Sequence, residues 1–398
     1  MKGSWEIKKI GEIGEIVNGG TPDTSVSKFW NGENLWITPK DMGKLNSIYV
    51  NDTSRKITDE GLKNSSAKIL PPNSIILSSR APIGHLAINQ KPISTNQGCK
   101  GIIPNKEVDS LYLYYFLVKS VELLNSLGTG ATFKELSGSK LGTVEIPLPT
   151  LPEQKRIVAI LDKAFAAIDK AKANTEKNLQ NVRELFESYL EGVFDNDFEN
   201  WIEMKLKDIG LTQTGTTPKT DEKENFGNYI PFIKPADVDF SGIGDIRYDN
   251  DCLSEIGLRK GRRIESGSIL MVCIGATIGK VGFSEFVVSC NQQINSLTVR
   301  KGIEPKFIYY AMTSKRFQDK VLAEGKGAQA TLPIINKSKW ENLPIKIPLM
   351  QSEQYSFVKK FDDLQFEVKN LEIKYQKKLV YLSELKVSIL QKAFLGEL

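Results

Sequence analysis

Two long stretches of the chain place apolar residues every three and four positions. Positions 157, 161, 164, 168, 171, 175, 178, 182, 185 and 189 run from Ile157 through Leu161 and Ile168 to Tyr189, the stepping of a heptad seam. Adding 200 to each gives a second seam, from Phe357 through Phe361 and Val368 to Ile389. Both carry a polar residue at the same place, Asn178 and Lys378, where a lone polar residue fixes register at a cost in stability. The pattern predicts two long helices that pair as a coiled coil, against the alternative that each packs only on its own domain. Because the first must leave one domain to reach the next and the second is its copy, the pair should be antiparallel. A helix from about residue 154 to 194 would be about 60 Å long at 1.5 Å per residue, with the domains at its two ends about a pseudo-twofold axis.

The segments before each helix are shorter and alternate as strands broken by glycine turns, and they too occur twice. WEIKKIGEIGEIVNGGTPDT (5–24) aligns without a gap on WIEMKLKDIGLTQTGTTPKT (201–220). The register continues through WITPKDM (36–42) with FIKPADV (232–238); further on, one residue out of step, STNQG (94–98) falls opposite SCNQQ (289–293) and YLYYFL (112–117) opposite FIYYAM (307–312). Each copy then passes a Gly-rich loop, GTGATFKEL (128–136) or GKGAQATL (325–332). It leaves through EIPLPTLPEQ (145–154) or KIPLMQSEQ (346–354). The expected organisation is α+β: mixed α/β domains at 1–150 and 201–350, joined by helices at 151–200 and 351–398.

The repeat disposes of one apparent motif. IGATIGKVGF (274–283) almost spells a phosphate-binding loop, yet Gly275 and Gly279 are separated by three residues rather than four, and Val281 offers no hydroxyl to magnesium. Its twin SRAPIGHLAI (79–88) has His85 where Lys280 stands. A strand, a glycine turn and a return strand explain both copies, with Gly84 and Gly279 providing the turn.

Composition narrows the chemistry. His85 is the only histidine, which excludes multi-histidine metal sites and suggests a structural role. Cys99, Cys252, Cys273 and Cys290 form no C-x-x-C pair and read as reduced thiols. No apolar run is long enough to span a membrane and the N-terminal residues resemble no signal peptide, so a cytoplasmic location is expected. Residues 1–150 carry 17 Lys and Arg against 14 Asp and Glu, and residues 201–350 carry 21 against 17, so the positive charge lies on the globular parts. The densest cluster is LRKGRR, with Arg259, Lys260, Arg262 and Arg263, which suits phosphate contacts. Two basic domains on a rigid strut suggest two grips on a polyanion such as duplex DNA.

This organisation resembles the DNA specificity subunit of type I restriction-modification systems over nearly the whole chain. The resemblance rests on the paired W-x(7)-I-G-x(4)-G-x-T-P openings, the P-L-P-x-x-E-Q exit with its weaker second copy, and the ending LKVSILQKAFLGEL (385–398), matched by LFESYLEGVF (185–194). It implies that each globular domain is a target-recognition domain reading one half of a bipartite asymmetric site in double-stranded DNA. It implies also that the helices are spacers and docking surfaces for two modification (adenine methyltransferase) subunits and for restriction/translocase subunits. The chain itself would bind no cofactor, with S-adenosylmethionine, ATP and Mg2+ left to those partners. No N-P-P-Y or D-P-P-Y tetrad, complete P-loop or nuclease motif occurs.

Loops that recur in both copies are the expected DNA-facing elements. In the first domain they offer Gly20, Thr21, Lys40, Ser79, Arg80, Asn96, Gln97, Thr132 and Lys134. In the second they offer Thr216, Thr217, Lys234, Arg259, Lys260, Arg262, Arg263, Thr277, Lys280, Asn291, Gln292, Lys326 and Gln329. Arg can pair with guanine and Asn or Gln with adenine in the major groove. Residues that differ between copies, such as Arg80 against Ile274, are the better candidates for readout, since two half-sites need different readers. The competing readings are a coiled-coil NTPase with a degenerate P-loop and a protein-binding repeat adaptor.

Overall fold

The computed structural model describes residues 5–80, 82–130, 134–196, 198–238, 246–325 and 333–398. The chain divides into two compact units, Met1–Thr175 with Lys378–Leu398, and Glu176–Lys377. Each unit holds one globular domain and a piece of both long helices.

In the first unit a five-stranded sheet runs in the order Gly14–Asn18, Cys99–Pro104, Ile75–Ser79, Ile83–Asn89, Tyr49–Val50. A three-stranded sheet has Trp30–Ile37 at its centre, antiparallel to Arg55–Ile57 and parallel to Ile93–Thr95. Glu6–Lys9 pairs antiparallel with Glu145–Leu148, so the entry and exit of the domain lie side by side. The second unit repeats this plan. Its four-stranded sheet is ordered Gly210–Thr214, Ile294–Val299, Ser268–Val272, Val281–Ser284, its three-stranded sheet centres on Phe226–Ile233, and Trp201–Lys205 pairs with Pro344–Pro348.

The central strands Ile75–Ser79 and Ser268–Val272 are buried along their whole length, which is why they read as apolar runs rather than alternations. Each is covered by a helix, Ser110–Lys119 or Pro305–Thr313. The first begins where the Asp109 carboxylate accepts from the amides of Leu111 and Tyr112 at 3.0 and 3.1 Å. The second begins where the Glu304 carboxylate accepts from the Lys306 amide at 3.3 Å, with Pro305 in its first turn.

The long helices span Leu151–Phe194 and Gln351–Leu395. They pair antiparallel within each unit. In the first, Lys386 Nζ lies 3.0 Å from Asp169, and Arg156 donates to the Leu398 carbonyl at 2.8 Å. In the second, Arg183 Nε lies 2.6 Å from Glu372, and Phe194 stacks on Phe361 with centroids 5.8 Å apart.

The seam departs from the heptad beyond Thr175. Asn178 and Lys378 are exposed, and Leu179 and Leu379 take the inward positions. Leu185 and Leu385 also point outward, while Phe186 and Leu190 are buried. Ten steps carry the buried stripe from Ile157 to Val193, about 3.6 residues a step, the period of a straight helix rather than the 3.5 of a supercoil. The expected polar register pair is therefore not in the seam.

Candidate nucleic-acid interface

Three loops meet at one tip of the first domain. The Asn96 amide donates to the Ile37 carbonyl at 2.8 Å, and the Asn96 side-chain oxygen accepts from the Gly98 amide at 2.7 Å, which closes a tight turn. Asn96 Nδ2 donates to Thr21 Oγ1 at 2.9 Å and to Gln97 Oε1 at 2.7 Å, and the Thr21 hydroxyl donates to the same Gln97 oxygen. Gly19, two residues before Thr21, allows this approach: a Cβ there would stand 2.0 Å from the Asn96 carbonyl oxygen. The second domain repeats the arrangement. Thr217 donates to Gln292, the Asn291 amide donates to the Ile233 carbonyl at 3.0 Å, and a Cβ on Gly215 would stand 2.1 Å from the Asn291 carbonyl oxygen. Thr21, Asn96 and Gln97, and Thr217, Asn291 and Gln292, are thus brought together.

A third loop is anchored beside them by an aspartate. Thr38 caps the turn Pro39–Met42 through Asp41, whose other oxygen accepts from the Ser54 hydroxyl at 2.6 Å. Asp237 holds the Lys234 amide at 2.8 Å and the Asn250 side chain at 2.5 Å in the same way. These carboxylates are turn anchors, and they leave Lys40 exposed at the first tip. Lys234 is less free, its Nζ lying 2.8 Å from Asp251. Thr216 is held by its backbone, its amide donating to the Cys290 carbonyl at 2.9 Å.

Several expected contacts are revised. Gly20 is buried and its carbonyl accepts from the Trp36 indole at 2.9 Å. Ser79 is wholly buried, with its amide and carbonyl engaged by Gly98 and Leu136. Neither presents a group to a ligand.

The LRKGRR cluster is largely neutralised. Arg259 pairs with Glu255 at 2.8 Å, Lys260 with Glu222 at 2.7 Å and Glu224 at 3.5 Å, and Arg263 with Glu265 at 2.8 Å. The Lys260 ammonium, donating to Glu222, holds that carboxyl down at about 2. Arg262 is exposed and makes no ion pair among the described residues. Glu255 and Glu265 flank the cluster in the sequence, whereas Glu222 and Glu224 reach Lys260 only through the fold.

The glycine turn of the P-loop look-alike is formed by left-handed Gly275 and Gly279, at φ +93° and +90°, with Gly84 at +115° in the first copy. Lys280 Nζ donates to the Val238 carbonyl at 2.9 Å, and the Thr277 carbonyl accepts from the Lys280 amide at 3.3 Å. His85 occupies the matching place beside Gly43. Lys280 is thus tied to the end of the turn Pro235–Asp237. Lys134 is exposed next to the Arg80–Glu135 ion pair. Thr132, Lys326 and Gln329 lie outside the described residues.

Two features at the opposite side escaped the sequence reading. Gln154, fully buried, accepts from the Asp109 amide and donates to the carbonyls of Glu107 and Pro149, each at 2.9 Å. Gln354 accepts from the Glu304 amide at 2.8 Å and donates to the Pro348 carbonyl at 2.9 Å. The repeated Glu-Gln was visible as a motif, and its glutamine is a clip between domain and helix. Likewise Tyr115 donates to Asp162, and Tyr310 donates to Asp362 at 2.5 Å.

No three His, Cys, Asp or Glu residues gather as metal ligands among the described residues. Burial pushes the thiols of Cys99, Cys273 and Cys290 up to about 12, so they stay protonated at neutral pH. No helix among the described residues is long and apolar enough to cross a membrane.

The fold and the two matched tips define a class: a tandem of one mixed α/β domain, each copy ending in a long helix. The chain belongs to the type I restriction modification DNA specificity family, whose model matches residues 2–180 and again 198–377. It is 31% identical to the type I restriction enzyme MjaIX specificity subunit of Methanocaldococcus jannaschii over 99% of this chain and 93% of that one. It is 32% identical to the EcoR124I/EcoR124II specificity subunit of Escherichia coli over 48% and 49% of the two chains. Among solved structures, the HsdS subunit from Thermoanaerobacter tengcongensis superposes with a TM-score of 0.67 at 17% identity, covering 100% of this chain and 98% of that one. A chain from a study of type I R-M complex assembly superposes with a TM-score of 0.79 at 18% identity, covering 99% and 98%.

Proposed function

We propose that this chain is the sequence-reading subunit of a type I restriction-modification complex, each globular domain reading one half of a bipartite asymmetric site in duplex DNA. The observation that carries the reading is the matched pair of polar tips, Thr21 with Asn96 and Gln97, and Thr217 with Asn291 and Gln292, held by the same glycine approach. Their amide and hydroxyl groups suit base edges, and exposed Lys40 and Arg262 beside them suit phosphates. The long helices, with exposed apolar side chains such as Phe366 and Val380, provide docking faces for two modification subunits and for restriction/translocase subunits. Methyl transfer from S-adenosylmethionine and ATP- and Mg2+-dependent translocation belong to those partners. The target adenine is extruded by the methyltransferase, so this chain positions catalysis without performing it. The complex works in the cytoplasm.

The test is to map methylated adenines in cells that express this chain with its modification partner. One bipartite motif with a fixed gap is expected. Methylation whose sequence does not depend on this chain would overturn the reading. The nucleotide-binding alternative is disfavoured by Lys280, whose ammonium is engaged by a backbone carbonyl.

A further inference from the structure

Beneath the loop tips the two domains share one backbone ladder, and it identifies equivalent residues that sequence alignment leaves uncertain. In the first domain the Ser79 amide donates to the Gly98 carbonyl at 2.7 Å, and the Leu136 amide donates to the Ser79 carbonyl at 2.9 Å. In the second the Cys273 amide donates to the Gln293 carbonyl at 2.8 Å, and the Ile335 amide donates to the Cys273 carbonyl at 2.9 Å. Backbone bridges then join Arg80 to Glu135 and Ile274 to Ile334. Arg80 thus corresponds to Ile274, Glu135 to Ile334 and Gly98 to Gln293.

At these three positions the chemistry changes together. Arg80 Nη1 lies 3.7 Å from one oxygen of Glu135, and Lys100 Nζ lies 3.7 Å from the other. The Lys100 side chain is only 8% exposed, whereas Arg80 and Glu135 are 37% and 42% exposed. Lys100 therefore keeps Glu135 compensated when Arg80 moves. Glycine at 98 leaves room for the guanidinium, since a Cβ there would stand 3.2 Å from Arg80 Nε. In the second domain there is no guanidinium to clear, and Gln293 fills the place, its side-chain oxygen accepting from Asn291 Nδ2 at 3.0 Å. Ile334 beside it is 49% exposed.

The two sets match the two kinds of base pair in the major groove. Arginine donates to guanine O6 and N7 while a carboxylate accepts from cytosine N4. Glutamine pairs with adenine N6 and N7 while an apolar side chain meets the thymine methyl. A phosphate is a poorer partner for the Arg80–Glu135 pair, because it offers no donor to the carboxylate. We propose that Arg80 with Glu135 reads a G·C pair in the half-site of the first domain, and that Gln293 with Ile274 and Ile334 reads an A·T pair at the corresponding place in the other half-site. This deepens the sequence-reading role proposed above and rests on it.

The test exchanges the sets in the full chain, produced with its modification partner, and maps methylated sites. Arg80→Ile with Gly98→Gln and Glu135→Ile is expected to change one base pair of one half-site from G·C to A·T, with the other half-site and the gap unchanged. Ile274→Arg with Gln293→Gly and Ile334→Glu should do the converse in the other half. The milder Arg80→Met keeps the bulk and removes the donors. It should lower discrimination at that pair about tenfold to hundredfold, as loss of a bidentate contact does, and it decides the matter if a triple variant fails to assemble. Retention of the parental motif by Arg80→Met, or a loss spread evenly over all positions, would overturn the proposal. Absence of any bipartite motif from the unsubstituted complex would instead sink the sequence-reading role itself.

Discussion

The two sides of each globular domain obey different rules. Where a domain meets its long helix, the copies keep the same joint. Gln154 and Gln354 each accept from the amide of the residue that caps the covering helix and donate to a proline carbonyl before the long helix, and Tyr115 and Tyr310 donate to Asp162 and Asp362. At the loop tips the frame agrees and the side chains diverge, with Arg80, Gly98 and Glu135 against Ile274, Gln293 and Ile334. A shared joint and different tips are what one scaffold needs if it must present two chemistries to two targets. Substitutions at the joint should therefore change stability and leave the methylation motif alone, and substitutions at the tip should do the reverse.

The largest effect is expected at the glutamine clips. Gln354→Ala strands the Glu304 amide and the Pro348 carbonyl in the interior and leaves a cavity, a loss of about 3–4 kcal/mol. Denaturant titration should show it, and a loss under about 1 kcal/mol would break the comparison. Next come the tyrosines. Tyr115→Phe removes a half-buried hydrogen bond, worth about 1 kcal/mol, and Tyr310→Phe removes the hydroxyl that Asp362 and Gln365 share, worth at least as much. Burial first, then the aspartate partner, raises both phenol pKa values. A raised folded-state value means that their contribution is complete below the unfolded tyrosine pKa, about 10, and is lost as pH rises above it. Melting temperature should thus fall at alkaline pH, less steeply in the double phenylalanine variant.

At the tip, Gln97→Ala should shift denaturation by less than about 0.5 kcal/mol, as exposed positions do, while altering base preference in one half-site. The smallest effect belongs to Arg262→Ala, which should weaken DNA binding of the assembled complex alike at all sequences and reduce the salt slope by about one. A change confined to one base position would reassign Arg262 to readout.

The sequence disclosed the repeat, the order of domain and helix, and the glycine turns, because each is carried by local residue types in fixed register. It misplaced Asn178 and Lys378, since ten seam positions cannot distinguish a period of 3.5 from 3.6 until the drift accumulates beyond Thr175. It overstated the LRKGRR charge, since Lys260 finds Glu222 only after folding. It noticed that Arg80 and Ile274 differ but could not find Glu135 and Ile334 as their partners, which the backbone bridges reveal.

The division of the chain has a consequence for its synthesis. The second unit, Glu176–Lys377, is one uninterrupted segment, whereas the first closes only with residues 378–398. Phe394, from that late segment, packs with centroids 5.0 and 5.4 Å from Tyr112 and Phe116. On the ribosome the domain made first is therefore finished last, and until then Tyr112 and Phe116 lack their aromatic cover. A chain truncated after Lys377 would carry every residue of the second unit and an open first one, offering chaperones and proteases the end of the protein that has been waiting longest.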